Sequence, residues 1–320
     1  MNKKLIAAAV ASTVAAPVTA MADGHEGVTV YGRINNAIKI TDDNTDVAGV
    51  SSRFGIKYNK DLGNGMGVHG RYEFFTVTDR EEASAGRGGV ADIRIATVGL
   101  SGGFGRVDVG NQWSAYFDTF GTLVSPTYSL GYFIYSSIGG GPFRASNTIK
   151  YSNSFGPVYA ELDVRLNDSN EQSDVSEKIN GNGVGLGLSF AVTDAITIAA
   201  AVDSEDNDGV DGAADTTTDR TGIGIKGSFG SFWASLGFQN IDTEGDEVDT
   251  TMFYFGGKLG GSTNWLIGHS TADDDADSEA TVWGIYHNLG GGLKLYYEAT
   301  AVDTANTDDT IHFLGMRVDF

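Results

Sequence analysis

The chain has 320 residues, 45 glycines, four prolines and no cysteine, and its 42 acidic against 21 basic residues give a formal charge of −21. The lack of cysteine excludes disulfide frameworks, thiolate metal centres and thiol nucleophiles. The acidic balance argues against a nucleic-acid-binding surface, which needs lysine and arginine to neutralise phosphates. With 41% hydrophobic residues, the chain has the apolar content of a folded protein.

The N-terminus has the pattern of a cleaved signal peptide. Two lysines precede an apolar run over residues 5–16, and a small-x-small cleavage site ends at Ala22. The run is shorter than the roughly 20 residues that a membrane-spanning helix needs. We therefore predict a leader over residues 1–22, a mature domain over residues 23–320, and export from the cytoplasm. A buried N-terminal helix is the alternative.

From Val28 onward, apolar and polar residues alternate with a period of two, which is typical of β-strands. In the first such segment Val28, Val30 and Ile34 share one face, while Tyr31 and Arg33 occupy the other. The same alternation recurs further along the chain, among others in residues 158–167, 293–300 and 314–320. No sustained pattern of an amphipathic helix follows the leader, so the sequence indicates an all-β fold.

The connectors between these strands alternate between short, glycine-rich turns and longer, mostly acidic segments. The short connectors are residues 61–65, 101–103, 154–156, 193–195, 229–231, 260–262 and 289–292. The long connectors are residues 41–50, 79–89, 113–143, 167–180, 203–219, 242–249, 271–279 and 303–309. They delimit sixteen strands, with both termini at the tight-turn end. An even strand number with this asymmetry of loops is the pattern of a closed barrel in the outer membrane. We predict a sixteen-stranded antiparallel transmembrane β-barrel.

Several segments resemble the general bacterial porins, the trimeric sixteen-stranded channels of Gram-negative outer membranes. The similar segments are VTVYGRINN (28–36), SSRFGIKYNKDLGNGMG (51–67), RIATVGLSGGFGRVDVGNQ (94–112), RASNTIKYSNSFG (144–156) and FLGMRVDF (313–320). They are similar, in order, to the first strand, the second strand with its turn, the fourth and fifth strands, the segment after the third loop, and the C-terminal strand. The last segment ends in Phe320, which the resemblance assigns as a signal for the barrel-assembly machinery.

The resemblance implies a homotrimer in the bacterial outer membrane, in contact with lipid and lipopolysaccharide. It implies passive diffusion of ions and small hydrophilic solutes, with no catalysis, no cofactor and no nucleic-acid partner. It also implies a third loop folded into the pore, opposite a wall of basic residues. Carried over by motif, the wall arginines are Arg33, Arg53, Arg94 and Arg144, and strand parity adds Lys57 and Lys150. The alternative is that some of these are merely solvated, or are paired with Glu73, Glu161 or Asp163.

The third loop departs from the family pattern, which often has acidic residues at the tip. Residues 113–143 contain one acid and are otherwise mostly aromatic or small. The residues expected to form the constriction loop are Tyr116, Asp118, Tyr128, Tyr132, Phe133 and Tyr135. A basic wall facing a nearly neutral loop predicts an electropositive constriction with a modest anion preference, opposed by the acidic outer loops.

Two other functions remain open at this point. In a substrate-selective channel, the loop aromatics would stack against sugars or aromatic solutes. In a structural or adhesive barrel, the acidic loops would bind divalent ions, and the weak candidate ligands are Asp206, Asp208, Asp273 and Asp275. No nucleophile elbow or His-Glu-x-x-His motif is present, so the sequence offers no catalytic constellation.

Overall fold

The computed structural model describes residues 27–76, 78, 90–128, 142–166, 178–179, 182–207, 216–305 and 307–320. The predicted leader lies outside these residues, as do Tyr132, Phe133, Tyr135 and Asp208. No helix in the described part of the chain is long and apolar enough to cross a membrane.

The described chain is built almost entirely from sixteen long strands. They are β1 Gly27–Ile40, β2 Arg53–Gly63, β3 Met66–Thr76, β4 Val90–Gly102, β5 Gly105–Trp113, β6 Arg144–Phe155, β7 Val158–Arg165, β8 Asn182–Ala191, β9 Ile196–Asn207, β10 Thr216–Phe229, β11 Phe232–Thr243, β12 Asp246–Gly260, β13 Thr263–Ala272, β14 Glu279–Gly290, β15 Leu293–Thr304 and β16 Thr307–Asp319. Two short strands, Thr45–Gly49 and Lys178–Ile179, a five-residue helix α1, Ala115–Thr119, and a 3₁₀ turn, Gly121–Leu123, complete the elements.

The sixteen strands form one closed antiparallel barrel. Each long strand pairs with its neighbour in the chain, and β16 returns to pair with β1, where Arg33 lies opposite Asp319 and Ile40 opposite His312. Closure leaves no unpaired edge, as a sheet in hydrocarbon requires. The predicted fold and strand number are confirmed.

Burial along the strands is inverted relative to a water-soluble protein. The apolar residues Val28 and Val30 are 68% and 63% exposed, whereas the polar residues Asn35 and Glu73 on the opposite face are 0% and 1% exposed. A continuous apolar exterior of this size is not stable in water. It matches the apolar outer band of a membrane barrel, whose interior is polar.

The tight turns at one end follow from residues that accept positive φ. Asn64 and Gly65 join β2 to β3 with φ of 54° and 74°. Asn-Gly is the favoured pair for a two-residue turn of this kind, because its twist matches that of the flanking strands. The sequence predicted this turn.

Two of the predicted long acidic connectors are instead hairpins. Over residues 242–249, β11 continues to Thr243 and β12 begins at Asp246, with Glu244 and Gly245 forming the turn. Likewise, Thr304 of β15 lies opposite Thr307 of β16. Threonine and valine interspersed among the acids preserve strand pairing, so these carboxylates are displayed on extended hairpins rather than on loops.

Strand β4 departs from strict alternation at Arg94. Alternation would put Arg94 on the face of Val98 and Leu100, which are exposed on the outside. The register with β3 shifts at this point, so that Ile95 lies opposite Glu73 and Arg94 becomes an extra residue. Both Arg94 and Ile95 are therefore buried. Strict alternation therefore misplaces Arg94, because a β-bulge reorients the side chain.

Candidate functional site

Six basic side chains cluster on the inner face where the first and last strands meet. We call them the basic wall: Arg33, Arg53, Arg71, Arg94, Lys294 and Arg317. They come from β1 to β4, β15 and β16, which the barrel closure makes neighbours. Sequence reasoning named Arg33, Arg53 and Arg94. It missed the other three, although the alternation of β16 already put Arg317 on the polar face.

Two carboxylates hold this basic wall together. Asp319 accepts hydrogen bonds from Arg33 Nε at 2.9 Å, Lys294 Nζ at 2.8 Å and Arg317 Nε at 3.0 Å. Each of the three cations comes from a different strand. The single carboxylate thus ties β15, β16 and β1 together at the seam of the barrel.

Glu73 plays the same role on the other side of the seam. Its Oε2 accepts from Arg71 at 2.6 Å and its Oε1 accepts from Arg94 Nε at 3.1 Å, while Arg53 Nη1 lies 3.7 Å away. Six cations thus share two carboxylates, and the wall retains a positive excess. That excess is the main electrostatic feature of the site.

The remaining predicted wall residues lie in different surroundings. The ammonium group of Lys57 lies over the Tyr31 ring, 4.7 Å from its centroid. Arg144 is 5% exposed and its guanidinium lies 5.1 Å from the Trp113 ring centroid, a cation–π contact. Lys150 is paired with Asp118 at 2.5 Å and Glu161 at 3.3 Å, so its charge is neutralised locally.

Residues 114–128, which we call the loop-3 segment, begin with the short helix α1 against β7 and β8. Ser114 caps α1 by accepting the Phe117 N–H at 3.1 Å. Asp163 Oδ2 accepts the Ala115 N–H at 2.6 Å, and Tyr116 donates its hydroxyl hydrogen to Gln239 at 2.9 Å. The carboxylate near the helix N-terminus also favours the helix electrostatically.

Glycines on the facing strands make room for this segment. A Cβ at Gly222 would approach the Tyr116 hydroxyl to 2.6 Å, and one at Gly237 would approach the Val124 side chain to 2.6 Å. Both distances are too short for real side chains. These glycines therefore permit close packing of the loop-3 segment.

The far end of the loop-3 segment is held by Glu298. This residue is 0% exposed, and its Oε1 accepts the Tyr128 N–H at 2.5 Å and the Tyr286 hydroxyl hydrogen at 2.6 Å. The ring centroids of Tyr128 and Tyr286 are 4.5 Å apart. The Arg317 guanidinium lies 4.4 Å from the centroid of the Tyr128 ring. Tyr128 is thus engaged by protein groups and does not present an open stacking surface to a solute.

We expect Glu298→Ala to loosen the loop-3 segment. The change removes a buried acceptor from two donors, which costs about 1–3 kcal/mol for each group left unsatisfied. Current through single channels should become noisier, and its mean level should change. Exposed Glu279→Ala is the matched control. Current traces identical to wild type would show that Glu298 does not hold the loop.

A second ionic network lies behind α1 and is nearly balanced. Arg165 Nη2 contacts Asp203 at 2.7 Å, and Arg220 Nη1 contacts Asp203 at 2.9 Å and Glu205 at 3.0 Å. The Arg165 side chain is 0% exposed, and its Nε lies 3.5 Å from Asp163. Sequence reasoning missed this network because it placed Asp203 and Glu205 in the acidic connector 203–219, whereas β9 continues to Asn207 and both side chains are buried.

Carboxylates predicted as metal ligands accept hydrogen bonds from protein groups, and those that the structure describes do not converge on one point as metal ligands would. Asp206 accepts from the Thr217 hydroxyl at 3.0 Å, and Asp273 accepts the Asp249 N–H at 2.5 Å. Hydrogen bonds from Ser278 lower the pKa of Asp274, the residue between Asp273 and Asp275. Within the described ranges, no group of three or more histidine, aspartate or glutamate side chains has a geometry suited to a metal ion.

A closed, lipid-facing barrel of sixteen strands with a charged interior defines the class of outer-membrane β-barrel proteins. A family model described as Gram-negative porin matches residues 7–307, and the chain belongs to this family. The predicted membership of the bacterial porin family is thereby confirmed.

Individual relatives are similar to this chain over a shorter stretch or at low sequence identity. The major outer membrane protein P.IB of Neisseria meningitidis serogroup A is 32% identical over 132 residues, which cover 37% of this chain and 36% of that protein. The match thus spans about a third of this curated relative. Similar solved structures cover 92% of this chain. An anion-selective porin from Comamonas acidovorans has a TM-score of 0.71, 20% identity and 100% of its own chain covered.

Two other solved structures have the same fold. Salmonella typhi OmpF, in complex with daunomycin, has a TM-score of 0.75 at 16% identity, with 97% of its chain covered. Vibrio cholerae OmpT, in its trimer form, has a TM-score of 0.71 at 15% identity, with 99% covered. At these identities the structures establish a shared fold.

Proposed function

We propose that this protein is a non-enzymatic diffusion channel of the outer membrane, passing ions and small hydrophilic solutes down their gradients. The observation that carries the proposal is a closed barrel whose lumen is lined by charged groups, with an uneven distribution of those groups around the wall. The loop-3 segment contacts β7 to β11 and reaches Glu298 on β15. In the proposed channel this segment narrows the lumen, and solutes pass between it and the basic wall.

We further propose a modest preference for anions at this constriction. Six basic side chains share Glu73 and Asp319, and the one acid of the described loop, Asp118, is paired with Lys150. A permeating ion near the basic wall therefore experiences a positive potential. The anion selectivity ascribed to the Comamonas acidovorans porin is compatible with this proposal. Lys57 and Arg144 contribute charge at the margins.

The finer features carried over from the family remain part of the proposal. They are a cleaved leader over residues 1–22, a homotrimer, contact with lipopolysaccharide, and assembly through the strand that ends in Phe320. The trimer form of Vibrio cholerae OmpT supports the oligomeric state.

Reconstitution of the purified protein in a planar bilayer tests the channel function. We expect stepwise conductance increments from single insertions, with a size that scales with salt concentration. Protein that inserts as a folded barrel but produces no conductance would contradict the proposal and favour a structural or adhesive role.

A further inference from the structure

Lys226 is a lone cation on the inner wall, remote in the sheet from the basic wall. It lies on β10, three residues before the tight turn that follows Phe229. The neighbouring residues Ile223 and Ile225 are exposed on the outer face, so alternation directs Lys226 inward. Its ammonium group lies over the Trp233 ring, 5.2 Å from the centroid.

This ammonium group has no ion-pair or hydrogen-bond partner among the described residues. It differs in this respect from the arginines of the basic wall, which contact carboxylates. A lysine ammonium has three N–H donors and no acceptor, and it needs acceptors or water when partly buried. The cation–π contact orients the lysine side chain, but it gives the ammonium hydrogens no oxygen or nitrogen acceptor.

Hydroxyl groups flank Lys226 on both neighbouring strands. Thr197 of β9 and Ser235 of β11 lie directly opposite it in the register. Ser235 is 2% exposed, and its hydroxyl has no hydrogen-bond partner within the described structure. A buried hydroxyl without a protein partner is unusual, and a bound ion or a water molecule is the ordinary partner of such a group.

We propose that Lys226, Ser235 and Thr197 form a docking site for a small oxyanion near the tight-turn end of the lumen. The ammonium group supplies only donors, and each hydroxyl can donate one further hydrogen bond to an oxyanion, which supplies acceptors. Charge-assisted bonds such as the one from the ammonium group are the stronger ones. The inference rests on the proposed channel function, since the lumen must admit the anion. It gives the anion a second position, separate from the basic wall.

Inorganic phosphate is the probe, added on the tight-turn side of a reconstituted channel at constant ionic strength. We expect it to reduce the chloride current of the wild type. Lys226→Met should raise the half-blocking phosphate concentration about tenfold, as expected from loss of one charge-assisted hydrogen bond. Ser235→Ala should raise it less, and Lys226→Arg should retain the block. Exposed Lys60→Met, at the same end on the outer face, is the matched control.

Equal phosphate block in the wild type and in Lys226→Met would overturn the inference, as would the absence of any block in the wild type. Line broadening of the phosphate phosphorus NMR signal by the protein in detergent micelles tests the site without conductance. Broadening by the wild type that is lost in Lys226→Met supports the site even where the channel function fails. Broadening that persists unchanged in the variant means that phosphate binds elsewhere, as at the basic wall, and overturns the inference.

Discussion

Replacing Arg53 and Arg94 together by glutamine is expected to lower the chloride-over-potassium permeability ratio by about fourfold or more. One unit charge about 5 Å from an ion in water contributes roughly 0.8 kcal/mol, which corresponds to about a fourfold preference. The double replacement removes two of the six basic side chains and leaves Glu73 in contact with Arg71 and with the Tyr31 hydroxyl. Reversal potentials in a KCl gradient measure the ratio.

Replacement of Lys60 and Lys258 by glutamine is the matched control for this double variant. Both lysines are exposed near the tight-turn end, so the same net charge is removed away from the basic wall. We expect little change in the permeability ratio. An equal change in both double variants would mean that net charge, and not the basic wall, determines the preference.

The largest effect on stability is expected for Asp203→Asn. Asp203 is the contact shared by Arg165 and Arg220, and the Arg165 side chain is 0% exposed. The change leaves Arg165 with Asp163, at 3.5 Å, as its carboxylate contact and Arg220 with Glu205, and breaking a buried ion pair costs about 3–5 kcal/mol. The free energy of unfolding in urea, measured in lipid vesicles, should fall by about this amount.

Asp303→Asn is the control for that measurement. Both aspartates lie near the end of a strand, but Asp303 is exposed whereas Asp203 is buried. Its replacement should change the free energy of unfolding by less than about 0.5 kcal/mol. Comparable losses in the two variants would show that the buried network contributes no more than an exposed carboxylate.

In the proposed channel, the basic wall and the second network together give an acidic chain a basic passage. The acids of the outer hairpins, such as Glu244 and Asp246, project into water beyond the apolar band. Inside the barrel, Asp203 forms an ion pair with Arg165, and Glu205 forms one with Arg220. Among the described residues, these exposed acids add to the formal charge of −21, while the cations of the basic wall outnumber their carboxylate partners at the seam.

The barrel itself was predictable because its signals are local. Alternation decides which face of a strand meets lipid, and pairs such as Asn64-Gly65 fix the turns. The hairpin at Glu244 was mistaken for a loop because acidic composition outweighed the threonine and valine that continue the strands. Composition indicates solvent exposure, whereas backbone pairing depends on the partner strand.

The site was only partly predictable because it depends on contacts between distant segments. The inward turn of Arg94 results from a bulge that is defined by the register with β3. The pairing of Arg33 with Asp319 joins residues at opposite ends of the chain, and only barrel closure brings them together. The position of Tyr128 depends on Glu298, which alternation identifies as inward-facing but does not connect to any loop.

The reversal potential of the wild-type channel in a KCl gradient at high salt tests the central claim most directly. At 1 M salt the Debye length is about 3 Å, so the acids of the outer hairpins are screened while the basic wall still acts on ions that pass beside it. We predict a reversal potential with the sign of anion preference. A clear cation preference that persists at high salt would contradict the basic wall as the selective element.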